Sequence, residues 1–144
     1  MKKYIPILIR NKFVLSLMLL LSYTSAYASH VVVVSRTDSD IQELSRSQVR
    51  QIFMGGTLSR KYKPAVFSVG TDARTTFNTQ IIGLTEHRVQ AYWSQLLFTG
   101  RAKPPAEFSE ANDVIDYLLK EPNSVGYLPG ELPLPKGLMV VYEK

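Results

Sequence analysis

The stretch SVGTDARTTFNT sets four hydroxyls (Ser68, Thr71, Thr75, Thr76) and the Asp72 carboxylate around Arg74, directly after the apolar run Ala65-Val66-Phe67. An ordinary turn needs one or two small polar residues. An apolar face resumes at Phe77, Ile81 and Ile82, so the polar residues open a helix. The first amides of a helix lack internal partners and carry partial positive charge, which suits an oxyanion. Serine and threonine add neutral donors, and arginine offers a planar fork that fits phosphate or sulfate. Ser68, Thr71, Arg74, Thr75 and Thr76 are therefore candidate oxyanion contacts. The plainer reading is that Thr71 or Asp72 caps the helix, with Arg74 in solvent or paired with Asp72.

These residues need a scaffold. His30-Val31-Val32-Val33-Val34-Ser35 is a continuous β-branched run, suited to a strand covered on both faces, as in a parallel sheet under helices. Ser45 with Gln48 three residues on makes a capping box, and Leu44 with Val49 a hydrophobic staple. Val49, Ile52 and Phe53 then form a helical stripe, ended by Gly55-Gly56. A basic loop, Thr57 to Pro64, leads to a strand over Ala65 to Val69. The candidate site follows, on a helix that runs to about Ile82 and stops at Gly83.

Thr85 caps a further helix with the stripe Val89, Trp93, Leu96 and Leu97, ended at Gly100. After a turn with two prolines, Ser109 caps a helix with the face Ala111, Ile115, Leu118 and Leu119. The strands Val125 to Leu128 and Leu138 to Tyr142 complete the chain. The order β-α-β-α-α-α-β-β predicts one α/β domain with a mostly parallel sheet flanked by helices.

Composition narrows the functions. Residues 1–28 read as a signal peptide: Lys2, Lys3, Arg10 and Lys12, an apolar run from Phe13 to Leu21, then Ala26-Tyr27-Ala28. Export to the periplasm follows, with residues 29–144 as the mature domain. Four of the 17 basic residues lie in the leader, leaving 13 against 12 acidic ones, a net charge of +1. The basic pI is thus a targeting feature and does not indicate nucleic-acid binding. The chain has no cysteine, which excludes disulfides, thiol catalysis and thiolate metal sites. No His/Asp cluster has metal-ligand spacing, and His30 and His87 read as surface residues rather than catalytic ones. No enzyme activity and no cofactor are expected.

LSRSQVRQIFMGG, AYWSQLLFTGRAKPP and EPNSVGYLP together resemble stretches of phosphate-type periplasmic solute-binding proteins, most of all the small single-lobe members. The resemblance spans about residues 31 to 129. It implies a single lobe of a periplasmic-binding-protein-like fold. In such lobes a Ser-Gly-Thr-Thr type of turn leads into a helix whose N-terminus meets the anion. Thr75, Thr76 and Phe77 match its Thr-Thr-Phe, whereas Ala73 and Arg74 replace small residues there. Full-length relatives close two lobes on the ligand, and one lobe encloses nothing unaided.

The resemblance thus implies a solute-binding or sensing module for phosphate or a similar oxyanion. A second copy, as a homodimer, or a membrane sensor or transporter would supply the opposing wall. The alternative is a ligand-free interaction domain that docks to a membrane sensor, channel or transporter.

Overall fold

The structure is a computed structural model describing residues 29–144; the signal-peptide reading of residues 1–28 lies outside the described residues. The valine run forms β1 (Val31–Arg36), buried from Val31 to Ser35. It sits between the last two strands of the chain, β4 (Ser124–Pro129) and β5 (Leu138–Glu143), and runs antiparallel to both. β2 (Lys63–Phe67) lies parallel to β4, and the short β3 (Ala106–Phe108) lies parallel to β2. The sheet order is β3-β2-β4-β1-β5. Four strands therefore share one direction and β1 opposes them. The α/β class agrees with the sequence, but β1 departs from the parallel neighbours its valines suggested. A run of valines records cover on both faces, and an antiparallel strand covered on both faces carries the same pattern.

Two helical layers supply that cover. α1 (Arg46–Phe53) begins with the expected capping box: Ser45 Oγ accepts from the Gln48 amide at 3.2 Å, and Gln48 Oε1 accepts from the Ser45 amide at 2.8 Å. α2 (Asp72–Phe77) continues as a π turn over Asn78–Ile82 and ends at Gly83, whose φ of 78° is the left-handed stop expected for glycine. Phe53 of α1 and Phe77 of α2 both pack on the Tyr127 ring, so these helices cover the Tyr127 face of the sheet.

α4 (Ala111–Lys120) covers the opposite face. There Gly126 leaves room for it: a Cβ at that position would meet Val114 at 3.2 Å and Leu118 at 3.3 Å. Glu110, not Ser109, occupies the N-cap position of α4, without a side-chain bond. β3 has no counterpart in the sequence reading, which placed only a proline turn and a cap in that region.

α3 (Glu86–Phe98) is less embedded. It buries only Val89 and Trp93, while Leu97 is exposed and Phe98 is 94% exposed. Leu96 and Leu97, expected on the buried stripe, lie at its margin. No described helix is long and apolar enough to cross a membrane.

Candidate functional site

β2 ends at Phe67 and delivers the chain to the polar turn. The Ser68 amide donates to the Phe108 carbonyl at 2.8 Å, tying the turn to β3. The Ser68 carbonyl accepts from the Thr71 amide at 3.3 Å and from Thr71 Oγ1 at 2.9 Å. Thr71 Oγ1 also accepts from the Arg74 amide at 3.4 Å, so Thr71 is the N-cap of α2. Thr75 Oγ1 donates back to the Thr71 carbonyl at 3.2 Å, and Ser68 Oγ lies 3.4 Å from Ser109 Oγ. Thr76 is half-buried, further along the helix.

The structure thus brings Ser68 and Thr71 together in the turn and places Thr75 and Thr76 beyond the first amides. The amides of Asp72 and Ala73 are left without helix partners by position. Gly70 opens the turn: its φ is 90°, and nothing lies within 4 Å of where a Cβ would be.

Arg74 points the other way, into the protein, and neither reaches solvent nor pairs with Asp72. It is 6% exposed. Nε and Nη2 grip Glu86 side-on at 2.9 and 2.8 Å, and Nη1 donates to the Phe67 carbonyl at 2.9 Å and to Glu107 Oε1 at 3.0 Å. Glu86 is further held by Asn78 Nδ2 at 2.7 Å and Gln90 Nε2 at 3.0 Å. Burial by itself would lower the Arg74 pKa, but the bonds to Glu86 and Glu107 outweigh it and hold it above the usual arginine value. Two carboxylates on one guanidinium leave one negative charge in excess.

Tyr127 completes the arrangement. The β2–β4 ladder stops early, with Lys63 and Pro64 paired to Ser124 and Val125. The Tyr127 hydroxyl instead accepts the Phe67 amide at 3.1 Å. Burial pushes its pKa well above the ordinary tyrosine value, partly offset by the Phe67 amide and the Arg74 charge. Above about pH 10 the unfolded phenol ionises while the folded one stays protonated. The unfolded state then binds fewer protons, so stability falls as pH rises. This contribution is fully present below about pH 10 and is lost as pH climbs toward the folded value. Urea titrations from pH 8 to 11 should show a steeper alkaline decline in the wild type than in Tyr127→Phe. Parallel declines would mean the phenol ionises as readily folded as unfolded.

Sequence reasoning did not connect Arg74 to Glu86, Glu107, Asn78, Gln90 or Tyr127. The Glu86 and Glu107 partners lie 12 and 33 residues from Arg74, too far for any local motif to join them. Among the described residues, no group of three or more His, Cys, Asp or Glu is arranged to hold a metal ion. His30 is exposed and lies 3.8 Å from Glu143, and His87 is exposed on α3.

No protein-family model and no curated protein matches the chain. Among the solved structures that share its fold are two phosphate-transport proteins. One is described as a phosphate ABC transporter substrate-binding protein with bound phosphate, from Clostridium perfringens, at a TM-score of 0.60 and 11% identity over 78% of this chain. The other is an ABC-type phosphate transport receptor from Vibrio cholerae, at 0.57 and 13% identity over 78% of this chain. This chain covers 44% and 45% of those two proteins, so it spans less than half of each. This chain thus shares the fold of part of each of those two phosphate-transport proteins.

Proposed function

We propose that the chain is a non-enzymatic solute-binding or sensing lobe, acting in the periplasm, with its oxyanion-facing element at the Ser68–Thr71 turn and the start of α2. The observation that carries this reading is the fold shared with two phosphate-transport proteins, one of them holding phosphate. Ser68, Thr71, Thr75 and Thr76 would supply hydroxyls, and the Asp72 and Ala73 amides would supply charge-free donors. Arg74 contributes from behind, by anchoring the helix start through Phe67, Glu86 and Glu107. A half-site open to water binds weakly, because contacts to phosphate are worth little in high dielectric. A second copy, or a membrane sensor or transporter, would close it.

The pairing of Arg74 favours a second reading. The cluster is net negative and Asp72 stands at the helix start, so Arg74 is not a free cation for an anion there. In that reading the lobe is a docking module for a membrane sensor, channel or transporter and holds no ligand.

Thermal unfolding in a phosphate series, with sulfate and chloride as controls, separates the two. At 100 times its Kd phosphate should stabilise by about 2.7 kcal/mol, or about 10 °C in a domain of this size. Ser68→Ala should shrink that rise while leaving the phosphate-free Tm nearly unchanged. A flat phosphate response would remove the oxyanion and leave the docking module.

A further inference from the structure

A cavity of about 250 Å³ lies between α3, the Pro104–Pro105 segment and the Tyr127 face of the sheet. Its floor is aromatic and aliphatic, with Phe53, Phe77 and Val66 below and Val89 and Trp93 above. Arg74, Asn78 and Glu107 border it. It lies on the inner side of α2, where the Arg74 side chain points, and is separate from the Ser68–Thr71 turn.

Two buried donors at this cavity are only partly used. Tyr127 is fully buried, and its hydroxyl accepts from Phe67 but donates to nothing among the described residues. Arg74 makes four hydrogen bonds with a guanidinium that carries five N–H groups. The two groups are neighbours, since Tyr127 takes the Phe67 amide and Arg74 the Phe67 carbonyl. No buried side-chain nitrogen or oxygen among the described residues lacks a partner altogether, yet both groups keep an unused O–H or N–H, so this lining is short of an acceptor. The unpaired carboxylate oxygen of Glu107 does not remedy this, because that side chain is 45% exposed and stays hydrated at the rim.

The acceptor's charge is also constrained. Glu86 and Glu107 already outnumber Arg74, so a carboxylate or phosphate entering here would add to an excess of negative charge in low dielectric. A neutral carbonyl meets both donors without that cost. For scale, a dry engineered cavity of about 150 Å³ holds benzene, so 250 Å³ has room for a ring with a short substituent. We propose that this cavity is a binding site for a small, uncharged, largely apolar molecule carrying a carbonyl-type acceptor, held by Tyr127 and Arg74 and covered by α3.

Acetophenone, ethylbenzene and benzoate form a matched probe set: the same ring with a neutral acceptor, without one, and with a charged one. Each is titrated into the ¹⁵N-labelled purified protein, following the Phe67 amide and the indole N–H of Trp93, the sole tryptophan. Acetophenone should give saturable shifts at both, and bind about five-fold tighter than ethylbenzene, as one net hydrogen bond allows. Benzoate should bind more weakly than either.

Tyr127→Phe should reduce the preference of acetophenone over ethylbenzene. Should that variant fail to fold, the ranking of the three probes on wild-type protein decides alone. Equal binding of acetophenone and ethylbenzene overturns the assigned role of Tyr127 and Arg74. Tightest binding by benzoate overturns the neutral class. Absence of saturable shifts with all three probes overturns the site.

Discussion

Arg74→Ala should destabilise the protein by about 3 kcal/mol, the low end for breaking a buried ion pair by removing one partner. The low end applies because Glu107 is 45% exposed and recovers water once its partner is gone. Glu86 is the larger loss. Its two oxygens accept four hydrogen bonds, two of them from Arg74, and its side chain is 27% exposed, less than that of Glu107. Urea denaturation should show a lower midpoint with an unchanged slope. Adding Glu86→Gln to Arg74→Ala should recover part of the loss, because the uncompensated charge is then gone.

A cost below about 1 kcal/mol would place the cluster among solvated surface pairs. The expected size also decides how anion binding must be tested. Loss of a phosphate response in Arg74→Ala would report unfolding as readily as lost contact, whereas Ser68 and Thr75 sit on the exposed side of the turn and perturb the core less.

Phe77→Ala should cost about 4 kcal/mol, within the usual span for deleting a buried phenylalanine. Phe77 is 2% exposed, and its ring stacks on Tyr127 with centroids 3.9 Å apart and planes 3° from parallel. Phe53 packs beside the pair, 4.7 Å from Phe77 and 5.9 Å from Tyr127, so one deletion leaves a hole shared by α1, α2 and β4. Against a total stability of about 5–15 kcal/mol for a domain, this is a large fraction, and the variant should unfold in distinctly less urea. Phe77→Leu should cost less than half as much, because most of the volume is kept. A loss under 2 kcal/mol for the alanine variant would mean that α2 is not anchored through this ring.

Local features were legible in the sequence and long-range pairings were not. The capping box at Ser45, the glycine stop at Gly83 and the start of α2 at Thr71 depend on residues within a few positions of each other, and each stands where the pattern put it. β3 escaped because Ala106, Glu107 and Phe108 make a three-residue edge strand with no alternation to detect, and its pairing to β2 supplies the order. Ser109 resembles a cap by type, yet Glu110 takes that position because the strand extends almost to it. The direction of β1 was hidden because burial on both faces is the same signal for either orientation.

At the candidate site, the sequence identified the turn and the hydroxyls of Ser68 and Thr71. It left the target of the Arg74 fork open between solvent, Asp72 and a ligand. Its partners come from the first turn of α3 and from β3, and only the folded sheet brings those to the end of β2.

The placement of β1 has a consequence for how the chain is made. Among the described residues, β1 pairs only with the late segments Ser124–Pro129 and Leu138–Glu143. While the chain is growing, this valine-rich segment has both edges bare and no native mate, a state prone to mispairing. The sheet then joins in a late step, when the tail inserts on either side of the head, and closing so long a loop is slow. A ribosome-stalled or C-terminally clipped product is therefore a sticky, unfinished molecule rather than a smaller working one. Joining of the head strand to the tail, more than any single contact, governs when this sheet is complete.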